Sequence, residues 1–516
     1  MFRHPSNRAA LAVLATTTIL SGPLAAQAQT LTLRTGSDFD TLDPAQVRIS
    51  DGYQMITGLY DRLVALDAQG APVSHLAERW ETDGLSTVFH LQSGVTCSDG
   101  TPLAATSVAA SLNRLADPET NAPYRVRTFG EPVATAVADD AAGTVTVTLG
   151  APFSDLLVGL AMPWASIVCP AGLADPEALA TTPQGTGPYV LDAEASLRGS
   201  SMVLQARDDY AWGPEGRGMD DADRPETLVV RVIGSHTTAA NELLAGSLDL
   251  AFVIGQDAER VDAAGQLERR DAVPFNNQFL LFQHADGAAT ADIRVRRALS
   301  MAVERDLAML AATAGAGAVA SSYITPLVSC YDETSESQMP IPDVDAARTL
   351  LAEAGYGPDN PLAIRLIGLP ALQGSAPEYL LESWRQIGVE VDLSNLTLQE
   401  SPPALASGEW EVVLFPLGAP MPSANTVSAY VTGDGPPNFG NVSNAAFEAA
   451  QQAAMVAAPD APERCENWAA AQQALIDQAN ILPLFAFTTS FFSRPGIRYD
   501  VAGPFVLDLG SIRVAE

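Results

Sequence analysis

The sequence predicts an α/β protein whose lobes are joined by crossing strands rather than strung like beads. Three observations carry this. Short alternating or apolar runs that read as strands recur between stretches of helical spacing, which implies mixed α/β layers. No tandem repeat and no Pro/Gly-rich linker divides the chain into independent halves. The chain has 516 residues, 47% of them apolar, enough for two or three sizeable cores.

The elements justify this in order. Residues 1–28 read as a secretory leader. Arg3 and Arg8 precede the apolar run Ala9 to Leu20, Gly22-Pro23 breaks it, and Ala26-Gln27-Ala28 fits a cleavage site. The run is too short to span a bilayer, and no Cys follows it to carry a lipid. Leu31 to Thr35 alternates like a strand and leads into the loop Asp38 to Pro44. Tyr53 to Leu63 has helical spacing, and Thr87 to Leu91 is a short strand. Asp99-Gly100 makes a turn, and a helix begins at Pro102 or near Ala105 and stops at Asp117-Pro118. A hairpin turn from Asp139 leads into the strand Thr144 to Leu149. Strands follow at Tyr189 to Leu191, Met202 to Gln205 and Leu228 to Ile233. A helix at Thr237 to Ala245 precedes a buried strand at Leu248 to Val253 and another at Phe279 to Phe282. Helices are expected over 293–312, 343–354 and 376–387, with Asp343 as a cap and Gly355 and Gly388 as stops. Ile364 to Ile367, Val389 to Leu393 and Trp410 to Phe415 read as strands. Ala445 to Val456 and Pro462 to Gln478 read as helices, and a final strand region begins at Pro483.

Composition removes several chemistries. All 28 basic residues are arginine. Without lysine there is no P-loop, no pyridoxal Schiff base and no Ser-x-x-Lys acylation site. Outside the leader stand His75, His90, His236 and His284, none at metal-binding spacing, and neither HExxH nor GxSxG occurs. No catalytic residue, metal site or cofactor is expected. Gly315-Ala-Gly-Ala-Val-Ala320 fits a dinucleotide-loop pattern, but a helical stretch precedes it and Ser321 to Pro326 follow, so a flexible loop is expected. The net charge is −33, and loss of Arg3 and Arg8 makes it two units more acidic. Such a field repels nucleic acid and anionic membrane surfaces; it also serves plain solubility.

Cys97, Cys169, Cys330 and Cys465 form an even set in a chain read as exported, which favours disulfides over free thiols. Of three possible pairings, Cys97–Cys169 with Cys330–Cys465 keeps each bridge inside one predicted domain. Each would close a long loop, worth about 4 kcal/mol in the chain-entropy model. The spacings suit no compact zinc site. Cys97, beside Ser98 and Asp99, lacks the positive setting of a reactive thiol.

A series of short segments then falls in one order. They are Thr41-Leu-Asp-Pro44, Gly58-Leu-Tyr-Asp-Arg-Leu-Val64, Leu76-Ala-Glu-Arg-Trp80, Phe89-His-Leu-Gln-Ser-Gly-Val95 and Ser98-Asp-Gly-Thr-Pro102. Leu115-Ala-Asp-Pro118 with Pro123-Tyr124, Gly185-Thr-Gly-Pro-Tyr189 and Leu244-Ala-Gly-Ser-Leu-Asp249 come next. Asp292 to Leu299 with Ala302 to Arg305, Leu351 to Tyr356, and Ile481-Leu-Pro-Leu484 complete it. On these segments, across residues 31–505, the chain resembles the periplasmic solute-binding proteins of ABC importers. The type is the peptide/nickel class, the oligopeptide- and dipeptide-binding proteins.

The resemblance implies a two-lobed periplasmic-binding-protein fold, with a ligand cleft between the lobes and an extra subdomain inserted in the first. Lobe I would be 29–274 with the inserted subdomain at about 48–182, lobe II 275–485, and 486–516 a return to lobe I. Strand crossovers would fall near 272–280 and 482–490. Most motif residues would be architectural: Asp99-Gly100 turns, Trp80 packs, and Asp292 with Arg296 forms an ion pair. The implied protein is not an enzyme. It would be a periplasmic monomer without a lipid anchor, cofactor, metal or nucleic-acid partner. It would close on a peptide or peptide-like small molecule and deliver it to an inner-membrane ABC permease. A binding protein for a sugar or other polar metabolite, or a sensory ligand receptor of the same fold, remains as an alternative. The implied pocket residues are Asp38, Phe39 and Asp40; Asn277 and Phe279; Tyr323; Phe415 and Leu417; and Asn438 and Phe439. Asp38 and Asp40 there would favour a cationic group.

The chain departs from these relatives in that pocket. Their segment near 415–420 usually carries Gly-Trp and an acid that holds a ligand amine; here stands Phe415-Pro-Leu-Gly-Ala-Pro420. Dipeptide relatives place an Arg near position 372, where this chain has Leu372 and Gln373. A nickel-type site would want a His in that segment, and none is present.

Overall fold

The computed structural model describes residue 1 and residues 29–514, apart from 68–69, 215–222, 274–276, 398–399, 416–420, 434–436, 460 and 504. Residues 2–28, which carry the expected leader, and Leu417 lie outside the described residues.

Two mixed sheets organise the chain. The first has seven strands, in spatial order Glu268–Ala272, Thr489–Ser493, Leu250–Val253, Thr30–Thr35, Thr227–Val232, Ser201–Ala206 and Tyr189–Leu197. Its centre is parallel, with Leu33 in register with Val230 on one side and Leu250 on the other. Central parallel strands are covered on both faces, and Leu31, Leu33, Leu228, Val230 and Leu250 are accordingly buried. The second sheet has six strands, in order Gly317–Val319, Ile481–Phe487, Gln278–Phe282, Val412–Phe415, Ala363–Gly368 and Glu390–Asn395. Its last three run parallel. The helix Ala376–Gln386 makes the crossover that parallel neighbours require. Trp384 on that helix is fully buried and donates Nε1–H to the Leu299 carbonyl at 2.9 Å.

The chain passes between these sheets twice. Glu268–Ala272 edges the first sheet, and the next strand, Gln278–Phe282, lies inside the second. Ile481–Phe487 belongs to the second sheet and Thr489–Ser493 to the first, with Thr488 alone between them. A separate antiparallel sheet, in order Ala77–Asp83, Ser86–Leu91, Thr144–Thr148 and Thr135–Asp139, packs the helix Ala105–Ala116. Both expected bridges are formed, Cys97–Cys169 and Cys330–Cys465.

The motif residues serve this architecture. Asp61, buried, accepts the Tyr210 hydroxyl at 3.0 Å and Trp212 Nε1–H at 2.9 Å, and meets His75 Nε2 at 3.0 Å. Gly187 packs so tightly that a Cβ there would stand 2.4 Å from the Leu59 carbonyl carbon. Trp80 lies against Phe89, ring centroids 6.5 Å apart. The Asp99-Gly100 turn closes with Gly100 N–H on the Cys97 carbonyl at 2.9 Å.

Four expectations are corrected. Asp292 does not pair with Arg296: it caps the helix Ile293–Met301 and holds Arg294 at 2.5 Å. Arg296 is buried and donates instead to the carbonyls of Thr290, Ala291, Gln478 and Ala479, which surround a guanidinium that the exposed Asp292 side does not reach. The single helix expected over 293–312 is two, Ile293–Met301 and Arg305–Thr313, because Glu304 N–H goes to the Tyr379 hydroxyl rather than into a helical ladder. Gly317–Val319, inside the expected loop at 315–320, is an edge strand on Ile481–Phe487. The helix expected over Tyr53 to Leu63 is Ser50–Leu59; Tyr60 turns extended, where its hydroxyl donates to the Leu42 carbonyl at 3.0 Å.

Candidate functional site

Open α/β sheets bind ligands outside the carboxyl ends of their parallel strands. Those ends are Thr35, Val232 and Val253 in the first sheet and Gly368, Asn395 and Phe415 in the second. Several contacts show where the two sides meet. Met421 packs into the core cluster of the first sheet. Phe153 touches the clusters of both. Ser154 N–H donates to the Met455 carbonyl at 2.9 Å. Asp155 meets Arg464 at 2.9 Å and accepts the Ser423 hydroxyl.

On the first side, Asp51 organises the loop that leaves Thr35. It accepts Gly36 N–H at 2.8 Å and the Ser37 hydroxyl at 2.6 Å, and the Thr35 hydroxyl as well. Asp38 is held by Arg198 Nε at 2.7 Å and Gly199 N–H at 3.0 Å. The same guanidinium lies 3.7 Å over the ring of Phe39, which is buried. Asp40 accepts Arg48 N–H at 2.8 Å. Both expected acids therefore have partners within their own side, and Arg198 offsets the charge of Asp38.

Next to this loop stands an aromatic stack. Tyr124 and Trp164 lie 4.4 Å apart at 22°, and Tyr53 meets them at 6.1 and 5.9 Å. Trp164 is buried, and its Nε1–H donates to the Thr128 hydroxyl at 2.8 Å, which fixes the ring. The Tyr53 hydroxyl is buried beside Tyr124 without a hydrogen bond of ordinary length, and burial pushes its ionisation well up. Arg127 covers the half-exposed Tyr124 ring at 5.8 Å.

On the second side, Phe415 stacks on Phe279 at 5.7 Å and on Tyr430 at 4.9 Å. Asn277, Phe279, Tyr323 and Asn438 are each 4% exposed or less. Asn277 donates to the Ser322 and Ile324 carbonyls at 2.6 and 2.9 Å. Asn438 donates to the Gly433 and Val442 carbonyls, both at 2.8 Å. Burial raises the Tyr323 hydroxyl, which sits in the core. The hydrogen bonds of Asn277 and Asn438 thus fall within their own side. Phe439 is half-buried, and its carbonyl accepts Gln283 Nε2–H at 3.2 Å. Gln373 is fully buried, donates to the Leu414 carbonyl at 2.6 Å and accepts Leu369 N–H at 2.7 Å.

Sequence reasoning missed Tyr53, Trp164, Arg127 and the pair Asp155–Arg464. Tyr124 stood inside a quoted motif but was read as architecture. Trp164 follows Pro163 in an apolar stretch and carries no local flag. Asp155 and Arg464 are separated by 309 positions, so only the fold brings them together. Among the described residues no cluster of three or more His, Cys, Asp or Glu could hold a metal, and no helix is long and apolar enough to cross a membrane.

Residues 71–439 match the family model for bacterial extracellular solute-binding proteins, family 5. The chain is 27% identical over 492 residues to the probable deoxycholate-binding periplasmic protein YgiS of Escherichia coli, covering 90% of this chain and 89% of that one. It is 28% identical over 354 residues to the glutathione-binding protein GsiB of the same species, covering 68% and 66%. A substrate-binding protein from Microbacterium hydrocarbonoxydans, solved with 4-hydroxybenzoate hydrazide, superposes with a TM-score of 0.76 at 29% identity, covering 94% of this chain and all of that one.

Proposed function

This chain belongs to the bacterial extracellular solute-binding proteins of family 5, and on that footing we propose that it captures a peptide or peptide-like small molecule between two lobes. The closed form is then handed to an ABC permease. The observation that carries the reading is the double strand crossing between two sheets whose parallel ends are flanked by aromatic side chains. Two connections let the sheets rotate against each other, and a solute touching both sides favours the shut form by its differential affinity. GsiB, named for a tripeptide, supports the peptide class. A second ligand class, a flat apolar acid, draws on the Tyr124–Trp164 stack and on YgiS, the deoxycholate-named relative.

Lobe boundaries at 29–274, 275–485 and 486–516, with an insert at about 48–182, belong to this proposal. So do export by the leader 1–28, a periplasmic location without a lipid anchor, a monomeric state and the absence of turnover. The pocket candidates of this proposal are Asp38, Phe39 and Asp40 in the first lobe and Asn277, Phe279, Tyr323, Phe415, Leu417, Asn438 and Phe439 in the second, of which Phe415 stands at the carboxyl end of a parallel strand.

The test is a thermal-shift screen of peptides, bile acids and sugars, followed by X-ray scattering with the hits. A binder at a hundred times its Kd adds about 2.7 kcal/mol of stability. Peptides that raise the midpoint and contract the scattering profile support the reading. Sugars that do so while peptides do not would overturn it.

A further inference from the structure

We propose that Arg127 selects ligands that carry a carboxylate, received beside the Tyr124–Trp164 stack. This rests on the reading that a small solute binds between the lobes, and it narrows that solute's chemistry.

The chain has 28 basic residues against 61 acidic ones, and nearly every described arginine is engaged. Carboxylates hold Arg114, Arg198 and Arg464, for example, and backbone carbonyls hold Arg34 and Arg296. Among the described residues only Arg48, Arg127 and Arg385 have neither kind of partner. Arg48 and Arg385 are exposed, where water solvates them. Arg127 is half-buried, its guanidinium lies over the face of Tyr124, and its charge acts on Tyr53. In a chain with this excess of acids, a guanidinium without an acid or carbonyl partner is free to take an anion that arrives with a ligand.

The ordinary role for such a residue is a cation near a helix C-terminus. The geometry points elsewhere. The helix Arg125–Phe129 has five residues, and the Arg127 guanidinium lies back over Tyr124, the residue before the helix, away from its last carbonyls.

Its position is next to the meeting line of the two sides. A Cβ on Gly159 would stand 2.7 Å from Thr128 Cα and 3.2 Å from the Arg127 carbonyl oxygen, so the helix Leu156–Leu160 packs directly on this segment. Asp155, just before that helix, meets Arg464 and Ser423 across the gap. A Cβ on Gly130 would meet the Phe153 ring at 2.8 Å, and Phe153 also touches both sides. The backbone at Arg127 is thus separated by one short helix from the residue, Asp155, that meets the second sheet's side. Trp164, held by Thr128, backs the Tyr124 ring and Arg127 lies over that ring at 5.8 Å, so a carboxylate would meet the guanidinium beside a rigid aromatic wall. An Arg–carboxylate pair formed as the gap shuts gains strength from the exclusion of water. Gln373 on the second side is uncharged and fully engaged, so it does not compete for that carboxylate.

The test measures binding of glutathione, Leu-Leu and deoxycholate, each against its neutral amide. The proteins are the wild type, Arg127→Gln and Arg127→Lys. The expected result is an acid that binds the wild type at least tenfold tighter than its amide. That ratio falls to near one in Arg127→Gln and is partly restored in Arg127→Lys, with the unliganded melting midpoint unchanged. Equal binding of acid and amide by the wild type, or a preference that survives in Arg127→Gln, overturns the proposal. Native mass spectrometry of protein from its own host separates this claim from the ligand-class reading. A co-purified acid that is not peptide-like and is lost in Arg127→Gln supports Arg127 and removes the peptide class. A peptide retained in full by Arg127→Gln supports the class and overturns the role of Arg127.

Discussion

Arg464 Nη2 lies 2.9 Å from Asp155 Oδ1 across the gap between the two sides, with the side chains only 5% and 1% exposed. The Ser423 hydroxyl completes the carboxylate's shell, and Arg464 also reaches Ser329 Oγ at 3.3 Å. Cys465, the next residue, is bonded to Cys330, so the bridge helps fix where the guanidinium stands. Removing one partner of a buried pair costs about 3–5 kcal/mol, because the other charge is stranded. Here the two sides can part and rehydrate it. Asp155→Asn is therefore expected to enlarge the radius of gyration of the unliganded protein and weaken ligand binding several-fold, with little change in the melting midpoint. Adding Arg464→Gln should recover part of the loss. Scattering profiles identical to wild type would show that the pair has no bearing on closure.

The bridges Cys97–Cys169 and Cys330–Cys465 span 72 and 135 positions. Loops of that length limit the unfolded ensemble by about 4 kcal/mol each. Replacing either pair by serines should lower the denaturant midpoint, with both pairs close to additive. Thiol titration of the denatured, unreduced protein should find no free thiol.

Gly187 allows a backbone approach that no side chain tolerates. A Cβ there would lie 2.5 Å from Tyr60 N as well as against Leu59. Gly187→Ala forces the segment apart and should cost about 3 kcal/mol. Gly199 has open space around it but a φ of +74°, so Gly199→Ala carries only backbone strain and should cost about 1 kcal/mol. Chemical denaturation of the two variants compares them directly.

His284 and His236 give the protein an acid-side weakness. Burial, then the charge of Arg296, holds His284 down at about 3. Burial, then Arg34, holds His236 at about 4, where its Nδ1 accepts from Arg34 at 3.1 Å. In the unfolded chain both titrate near 6.5. Between those values the unfolded state binds more protons, so stability rises with pH across the window. The contribution is full above pH 6.5 and is lost as pH falls toward 4 and then 3. Denaturant midpoints from pH 7 to pH 5, where most carboxylates stay ionised, should fall, and His284→Gln should flatten the slope. A slope unchanged by that substitution would mean that His284 takes a proton while folded.

Much of the architecture was legible because it is written in local pattern. Thr30–Thr35 alternates apolar with polar residues, Leu250–Val253 is a short apolar run, and Asp343 caps its helix through Asp345 and Ala346 as its position suggests. The disulfide pairing followed from keeping each bridge inside one domain. The misses are tertiary. No Gly or Pro marks the break at Ala302–Glu304; a hydroxyl from Tyr379, 75 positions away, makes it. Arg296 chose carbonyls over the acid four residues before it because it is buried among helix ends. The cleft was hardest to read. Asp38 looks like a ligand anchor until Arg198, 160 positions on, is seen holding it. Arg127 looks like a surface charge until its lack of any acid partner is counted.

The placement of the final strands governs the order in which this molecule can be finished. Ile481–Phe487 pairs with two strands of the second sheet, and Thr489–Ser493 with two of the first. Val506–Val514 then lies along the helix Ser50–Leu59, where Leu509 N–H meets the Thr57 hydroxyl at 2.9 Å. A polypeptide emerging from its amino end therefore leaves the second sheet incomplete until Phe487 is out and the first until Ser493 is out. A nascent chain stays open for most of its synthesis, and loss of the segment from Ile481 onward would undo two sheets at once.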